Sequence, residues 1–235
     1  MLLTRISGAG RSILTLNRDR EYAALKRMLE LKPTDTVLDA GCGDGFWTSR
    51  IAKYCGHVTG LEPDRRTIGV AQALYSRSNV TYICGVGESL PFKNGTFDKV
   101  LSVSCLEHFA DPWRGLAEMA RVLRPGGRIA LSVDSLLPKN SPQDFREWHK
   151  KRHFVTYYFS QESLVKALQD SGLKCESKSA VHLIRSRVAA GLRQVFIRRP
   201  RMWLPLFPAF YLLVRLSDRI FDDMHGQIVI VTASR

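Results

Sequence analysis

The 235-residue chain is short of acid: 22 Asp and Glu stand against 35 Lys and Arg, a net charge of +13. From Ser177 to Ser217 there is no acid at all. That balance implies an anionic partner, whether nucleic acid, an acidic membrane surface or an acidic substrate. Cysteine is sparse as well. Five occur, an odd number, and no C-x-x-C pair is among them. A disulfide framework or zinc site is therefore not expected, no metal is assigned, and a reducing, cytoplasmic setting fits. The longest apolar block, Trp203 to Val214, has twelve residues. As helix it would reach roughly 18 Å, too short for a hydrocarbon core of about 30 Å. The start lacks a continuous apolar segment, so no secretory signal is expected. The first eighteen residues carry Arg5, Arg11 and Arg18 and no acid, which suits a basic arm or a transit segment. No internal repeat and no low-complexity linker is visible. The expectation is one domain over 1–235: an arm and helix over 1–34, a core over 35–134, and a late insertion over 184–226.

Strands and helices alternate along the core. Asp19 to Lys32 reads as a helix with Tyr22, Leu25, Met28 and Leu29 on one face. Strands are expected at Val37–Ala40, His57–Glu62, Val80–Cys84, Phe97–Ser102 and Arg128–Val133. Helices fall between them, at Phe46–Tyr54, at Asp64–Tyr75 and after Asp111-Pro112, where Asp111 can cap and Pro112 suits the first turn. Asp134 to Phe159 is polar with little periodicity. Ser160 opens a further helix, and strands are expected within Leu173–Leu183 and at Gln227–Ala233. This alternation predicts an α/β fold with a doubly wound, mostly parallel sheet.

The first expected strand ends in Asp39 and runs into Gly41, Gly43 and Gly45. Glycines at every second position make a tight turn that a ligand can approach closely. The spacing is G-x-G-x-G, not the dinucleotide fingerprint, and no Gly-Lys-Ser/Thr ending makes it a phosphate loop. Asp39 and Glu62 both end strands, 23 positions apart. In such a sheet ligands bind at the carboxyl ends of the strands, and an acid there suits a ribose diol. Gly87-Glu88-Ser89-Leu90-Pro91-Phe92 follows the third strand, and Ser104-Cys105-Leu106-Glu107-His108 the fourth.

These segments resemble the class I S-adenosylmethionine-dependent methyltransferases, and within them the type 11 group. The likeness is carried by Val37-Leu38-Asp39-Ala40-Gly41-Cys42-Gly43-Asp44-Gly45, Gly60-Leu61-Glu62-Pro63-Asp64 and Gly87 to Phe92. Phe97-Asp98-Lys99-Val100, Leu106-Glu107-His108 and Glu118 to Gly127 complete it, in matching order and spacing. The resemblance implies a seven-stranded Rossmann-like fold and S-adenosylmethionine as cofactor. It implies that Asp39, Gly41, Cys42 and Gly43 hold the methionine end and that Glu62, followed by Pro63, holds the ribose. Gly87 and Glu88 would edge the adenine, and Ser104 would lie beside the cofactor. His108 is the candidate catalytic residue, with Glu107 beside it. His149, His153, Tyr157 and Tyr158 fall where the family often builds its acceptor wall. Val86 departs from the pattern, standing where the family commonly has an acid on the adenine amino group.

The insertion pairs its apolar block with Arg185, Arg187, Arg193, Arg198, Arg199, Arg201 and Arg215. Arginines around an aromatic and aliphatic block suit an interfacial segment. A lid packed on the sheet is the other reading. The expected activity is methyl transfer to an apolar or lipid-linked small molecule, a quinone precursor or a polyprenyl-linked sugar, with an anionic membrane surface as a partner. The location is then cytoplasmic, peripheral at the inner face of a membrane. An RNA methyltransferase is one alternative, disfavoured because the aromatics gather in one block and no Asn/Asp-Pro-Pro-Tyr/Phe motif follows strand four. A catalytically silent cofactor-binding subunit at a membrane is another. The oligomeric state is not indicated.

Overall fold

A computed structural model of the chain describes residues 16–175 and 180–235. The expected arm up to residue 15, and Ser177, Lys178 and Ser179 of the acid-free span, lie outside the described residues. The apolar runs form β1 (Thr36–Ala40), β2 (His57–Glu62), β3 (Val80–Cys84), β4 (Phe97–Val103) and β5 (Leu123–Asp134), all parallel. Two more strands, β6 (Ala180–Leu183) and β7 (Ile228–Ser234), complete one seven-stranded sheet in the order β3-β2-β1-β4-β5-β7-β6. β7 runs antiparallel to both of its neighbours. The expected mostly parallel, doubly wound sheet is therefore what the chain forms. The order reverses between β1 and β4, which puts the switch point beside the glycine turn.

Successive strand residues face opposite helical layers. Leu38, Val100 and Leu131 pack with α4 (Pro112–Val122) and α6 (Gln161–Asp170). Val37, Leu101 and Ala130 pack with α1 (Arg18–Leu29), α2 (Thr48–Ile51), α7 (Arg187–Arg198) and α9 (Phe207–Ile220). The expected caps form. Asp111 Oδ1 accepts from Arg114 N at 3.0 Å, and Ser160 with Ser163 makes a capping box. Asp64 caps α3 (Arg65–Tyr75) in the same way.

Three elements depart furthest from expectation. The helix after the glycine turn is only α2 plus a 3-10 turn, Ala52–Tyr54, because the chain tightens straight into β2. β5 starts at Leu123, not Arg128. Arg124 to Gly127 bulge out of the ladder, whose register jumps between the Phe97–Leu123 and Lys99–Arg128 pairs. The polar stretch after Asp134 holds a full helix, α5 (Gln143–His153). Only Phe145 and His149 of α5 are buried, so no apolar period announces it.

The insertion folds back as a hairpin of α7 and α9, joined by the short α8 (Pro200–Trp203). The Asp218 carboxylate, itself buried, holds it shut. It accepts from the N–H groups of Ile184, Arg185 and Ser186 at 2.8, 2.7 and 3.1 Å, and from Arg20 of α1 at 2.8 Å. Tyr211 and Arg215 of α9 reach Asp19 of α1 as well, each at 2.6 Å. Removing one partner of a buried, multiply bonded carboxylate strands the others. Asp218→Ala should lower unfolding stability by about 3 kcal/mol in urea titration. A loss within experimental error would show that other contacts hold the hairpin.

Candidate active site

The glycine turn and the acid ending β2 converge at the carboxyl edge of the sheet. Asp39 is fully buried at the end of β1. Its Oδ2 accepts from Thr48 Oγ1 at 2.6 Å, and its Oδ1 has no hydrogen-bond partner among the described residues. Burial pushes its pKa up to about 7, against the Thr48 hydrogen bond and with the Glu62 charge adding to the rise. Gly41 has φ +88, and a Cβ there would collide with Cys105 Sγ at 2.1 Å. Gly43 has φ +54, and a Cβ there would meet no atom within 4 Å. The turn thus backs onto β4 at Gly41 and faces open space at Gly43. Glu62 is half-buried, and burial raises its pKa while the N–H groups of Asp64 and Gly43 hold it down. One edge of the crevice therefore carries two carboxylates and a bare backbone turn.

Other expected residues do different work. Cys42 turns its side chain into a small cluster with Ile68, Ala71 and Tyr82, and its N–H is held by Leu61 O at 3.0 Å. Its side chain packs behind the turn. Pro63 is exposed, and its carbonyl accepts from Cys84 Sγ at 3.3 Å. Gly87 gives room for the Phe109 ring, which a Cβ would strike at 2.1 Å. Glu88 Oε1 accepts from Ala110 N at 2.8 Å, which ties the loops after β3 and β4 together. Ser104, in the left-handed region at φ +44, donates its hydroxyl to Glu21 Oε2 at 2.9 Å. His108 is exposed on a 3-10 turn, Leu106–His108. Partial desolvation holds its imidazole below the ordinary histidine range, against the pull of Asp134.

The structure adds residues that sequence reasoning passed over. Glu21 of α1 is fully buried and accepts from Ser104, from Ser132 Oγ at 2.9 Å, from Arg18 at 2.9 Å and from Asn17. The signal was present: Glu21 stands one turn before Leu25, on the apolar face of an amphipathic helix. Glu107, beside the expected His108, is fully buried too. Its Oε1 accepts from Asp134 N at 2.8 Å, and its Oε2 has no partner among the described residues. Burial first, and then the charge of Asp134, raise its pKa. Asp134 is the reverse case. Burial would raise it, but Arg193 at 2.7 Å and His149 at 3.4 Å hold it below the ordinary carboxylate range. His149 Nδ1 shares a hydrogen bond with the Tyr158 hydroxyl at 2.9 Å, and burial pushes the imidazole down to about 4. His149 and Tyr158 of the expected wall thus meet at Asp134. Tyr157 instead packs on Trp113, at 5.2 Å between ring centroids.

A seven-stranded sheet of this order, with a bare glycine turn at the switch point and an acid ending the next strand, is the frame of a class I methyltransferase. Residues 38–131 match the family described as methyltransferase domain. An uncharacterized methyltransferase of Mycobacterium sp. (strain JLS) is 42% identical over 97 residues, 41% of this chain and 38% of that protein. The demethylmenaquinone methyltransferase of Corynebacterium urealyticum is 34% identical over 122 residues, 52% of this chain and 51% of that one. The matches thus span about half or less of these curated relatives' lengths. Geranyl diphosphate C-methyltransferase from Streptomyces coelicolor A3(2) shares the fold, with a TM-score of 0.70 at 19% identity over 93% of this chain and 77% of that one. Residues 38–131 are thus similar to the cofactor-binding part of class I S-adenosylmethionine-dependent methyltransferases of the type 11 family.

S-adenosylmethionine fits the residues present. The buried Asp39 Oδ1 is available to a cationic ammonium, the open side of Gly43 to the methionine chain, and Glu62 to the ribose diol. Glu62→Ala should weaken S-adenosylhomocysteine binding by about 1–3 kcal/mol in calorimetry. Unchanged affinity would sink the ribose assignment.

Asp39 also predicts a pH dependence. Its carboxyl holds a proton below about 7 in the folded protein, and only the ionised form pairs with an ammonium. Affinity for S-adenosylhomocysteine should therefore rise as pH increases through about 7. Titration calorimetry across that range should show the rise in the wild type and its loss in Asp39→Asn.

Proposed function

We propose that this domain transfers a methyl group from S-adenosylmethionine to an apolar or lipid-linked small molecule, of the quinone-precursor or polyprenyl-linked-sugar type. One observation carries the acceptor half. Among the described residues Glu107 Oε2 is buried without a partner just past β4, and aromatic residues stand on the loops beside it. Thr156 N donates to Glu107 O at 2.8 Å, which brings up Phe154, 81% exposed, and Tyr157 stacked edge-on to Trp113. Aromatic residues on the loops beside a buried polar oxygen suit an acceptor with one reacting polar group on an apolar body. Two of the similar proteins, named for demethylmenaquinone and geranyl diphosphate, take isoprenoid molecules, which supports the same class.

The cofactor supplies a methyl group already activated on a sulfonium, so the protein's task is mainly alignment and exclusion of water. Asp39, Gly43 and Glu62 orient the donor side. Glu107, when ionised, accepts the proton that a hydroxyl or activated carbon acceptor loses. Asp134 N holds Glu107 in place through its other oxygen, and Arg193 and His149 fix Asp134 in turn. His108, exposed on the same turn, is the second candidate for that proton.

Two measurements test this reading. Methyl-labelled donor should transfer label to a lipid extract and not to an RNA extract. Label in RNA would overturn the acceptor class, and no label in either with donor bound would make the chain a silent binding module. With an acceptor in hand, the rate should climb with pH along a limb set by Glu107. The raised pKa places that limb above the ordinary carboxylate range. Glu107→Gln should cost about 10²–10⁴ in rate and flatten the limb, while His108→Asn keeps it. If His108→Asn removes the limb instead, the proton goes to His108.

A further inference from the structure

The helix α9 is apolar on both sides. Its inner face buries Phe210 and Val214 against the second core layer. A surface helix ordinarily turns polar residues outward. α9 instead exposes Leu212 by 55%, Leu213 by 49%, Leu216 by 41% and Ile220 by 69%. At 3.6 residues per turn these four fall within an arc of roughly 100°, opposite the buried stripe. Met202 and Leu206, at the entry to α9, are half exposed as well. A continuous apolar face of this kind marks a contact surface.

The charges around it select the occupant. Arg185, Arg187, Arg193, Arg198 and Arg215 are each paired with an acid of this chain. Arg199, Arg201 and Arg219 are exposed and make no ion pair among the described residues. Arg199 and Arg201 flank one end of the apolar face, and Arg219 lies beside Leu212 and Leu216 on its edge. No acid occurs between Arg199 and Ser217. A second copy docking through the same patch would bring these arginines against their own kind in an isologous contact. An anionic lipid surface complements both the leucines and the arginines. No helix among the described residues is long and apolar enough to cross a membrane, so α9 would lie in the interface plane.

We propose that the outer face of α9, with Arg199, Arg201 and Arg219, docks this domain on an anionic lipid surface. The methyl-transfer reading gives this docking its purpose, delivery of a lipid-linked acceptor, but not its warrant. Binding is measured without turnover, so the two readings can fail separately.

The test is sedimentation of the full chain with vesicles of phosphatidylcholine, with and without phosphatidylglycerol, at low and high salt. The wild type should bind the phosphatidylglycerol vesicles, and salt should weaken it by screening. The triple reversal Arg199→Glu, Arg201→Glu and Arg219→Glu should weaken binding on the order of ten-fold or more. Leu212→Asp with Leu216→Asp should abolish it. Both variants should keep the wild-type circular dichroism and S-adenosylhomocysteine affinity, since these side chains touch neither core nor crevice. A folded wild type that ignores anionic vesicles overturns the proposal. So does vesicle binding that neither variant changes. A wild-type dimer in analytical ultracentrifugation that Leu212→Asp with Leu216→Asp dissolves would assign the face to self-association instead.

Discussion

Four buried carboxylates at one edge of the sheet constrain everything near them. Asp39, Glu107 and Asp134 end or follow β1, β4 and β5, and α1 brings Glu21 against them. A lone carboxylate taken out of water is costly, so each has to be bonded, paired or protonated. Glu21 is bonded, by two serine hydroxyls, Arg18 and Asn17. Asp134 is paired, with Arg193. Asp39 and Glu107 keep one oxygen each without a partner among the described residues and hold their protons more tightly. The charged partners, Arg18 and Arg193, come from α1 and α7, outside the core strands. Arm helix, sheet edge and insertion therefore stand or fall together.

That arrangement divides the crevice into two halves of different character. The donor half is mostly backbone: a glycine turn with two acids beside it, fit for a small cation and a diol. The acceptor half, as proposed, would be built from side chains on loops, with Glu107 and the nearby Phe154, Trp113 and Tyr157. Loops positioned by a rigid sheet are where specificity varies within a fold.

The insertion serves both the crevice and the outer surface. Arg193 reaches inward to Asp134, Asp218 locks the hairpin to α1, and the outer side of α9 is left apolar. The acid-free span is therefore not one basic surface. Most of its arginines are neutralised by acids drawn from distant segments, Asp19, Asp134 and Asp144 among them. The unpaired remainder is local to the α9 face.

Much of the fold was legible in the chain itself. The ends of β2 and β3 were readable to the residue because each is an apolar run between breakers, and short-range pattern decides such strands. The Asp39-to-Gly45 turn and Glu62 were readable for the same reason: backbone geometry at a tight turn depends on local residue type. The helix α5 was not, since its stability comes from Phe145 and His149 docking and not from any period of its own. Cys42 and Glu88 were read as cofactor contacts by motif position, and the structure shows each engaged in packing or loop tying. Arg193 and Asp134 lie 59 residues apart, and as letters Arg193 is one arginine among several in a basic run. Sequence pattern determined the alternating strands and the glycine turn, and the resemblance those segments carry implied the methyl donor. Only the tertiary structure decided which charges are buried together, because pairing in a low-dielectric interior depends on distance in space and not along the chain.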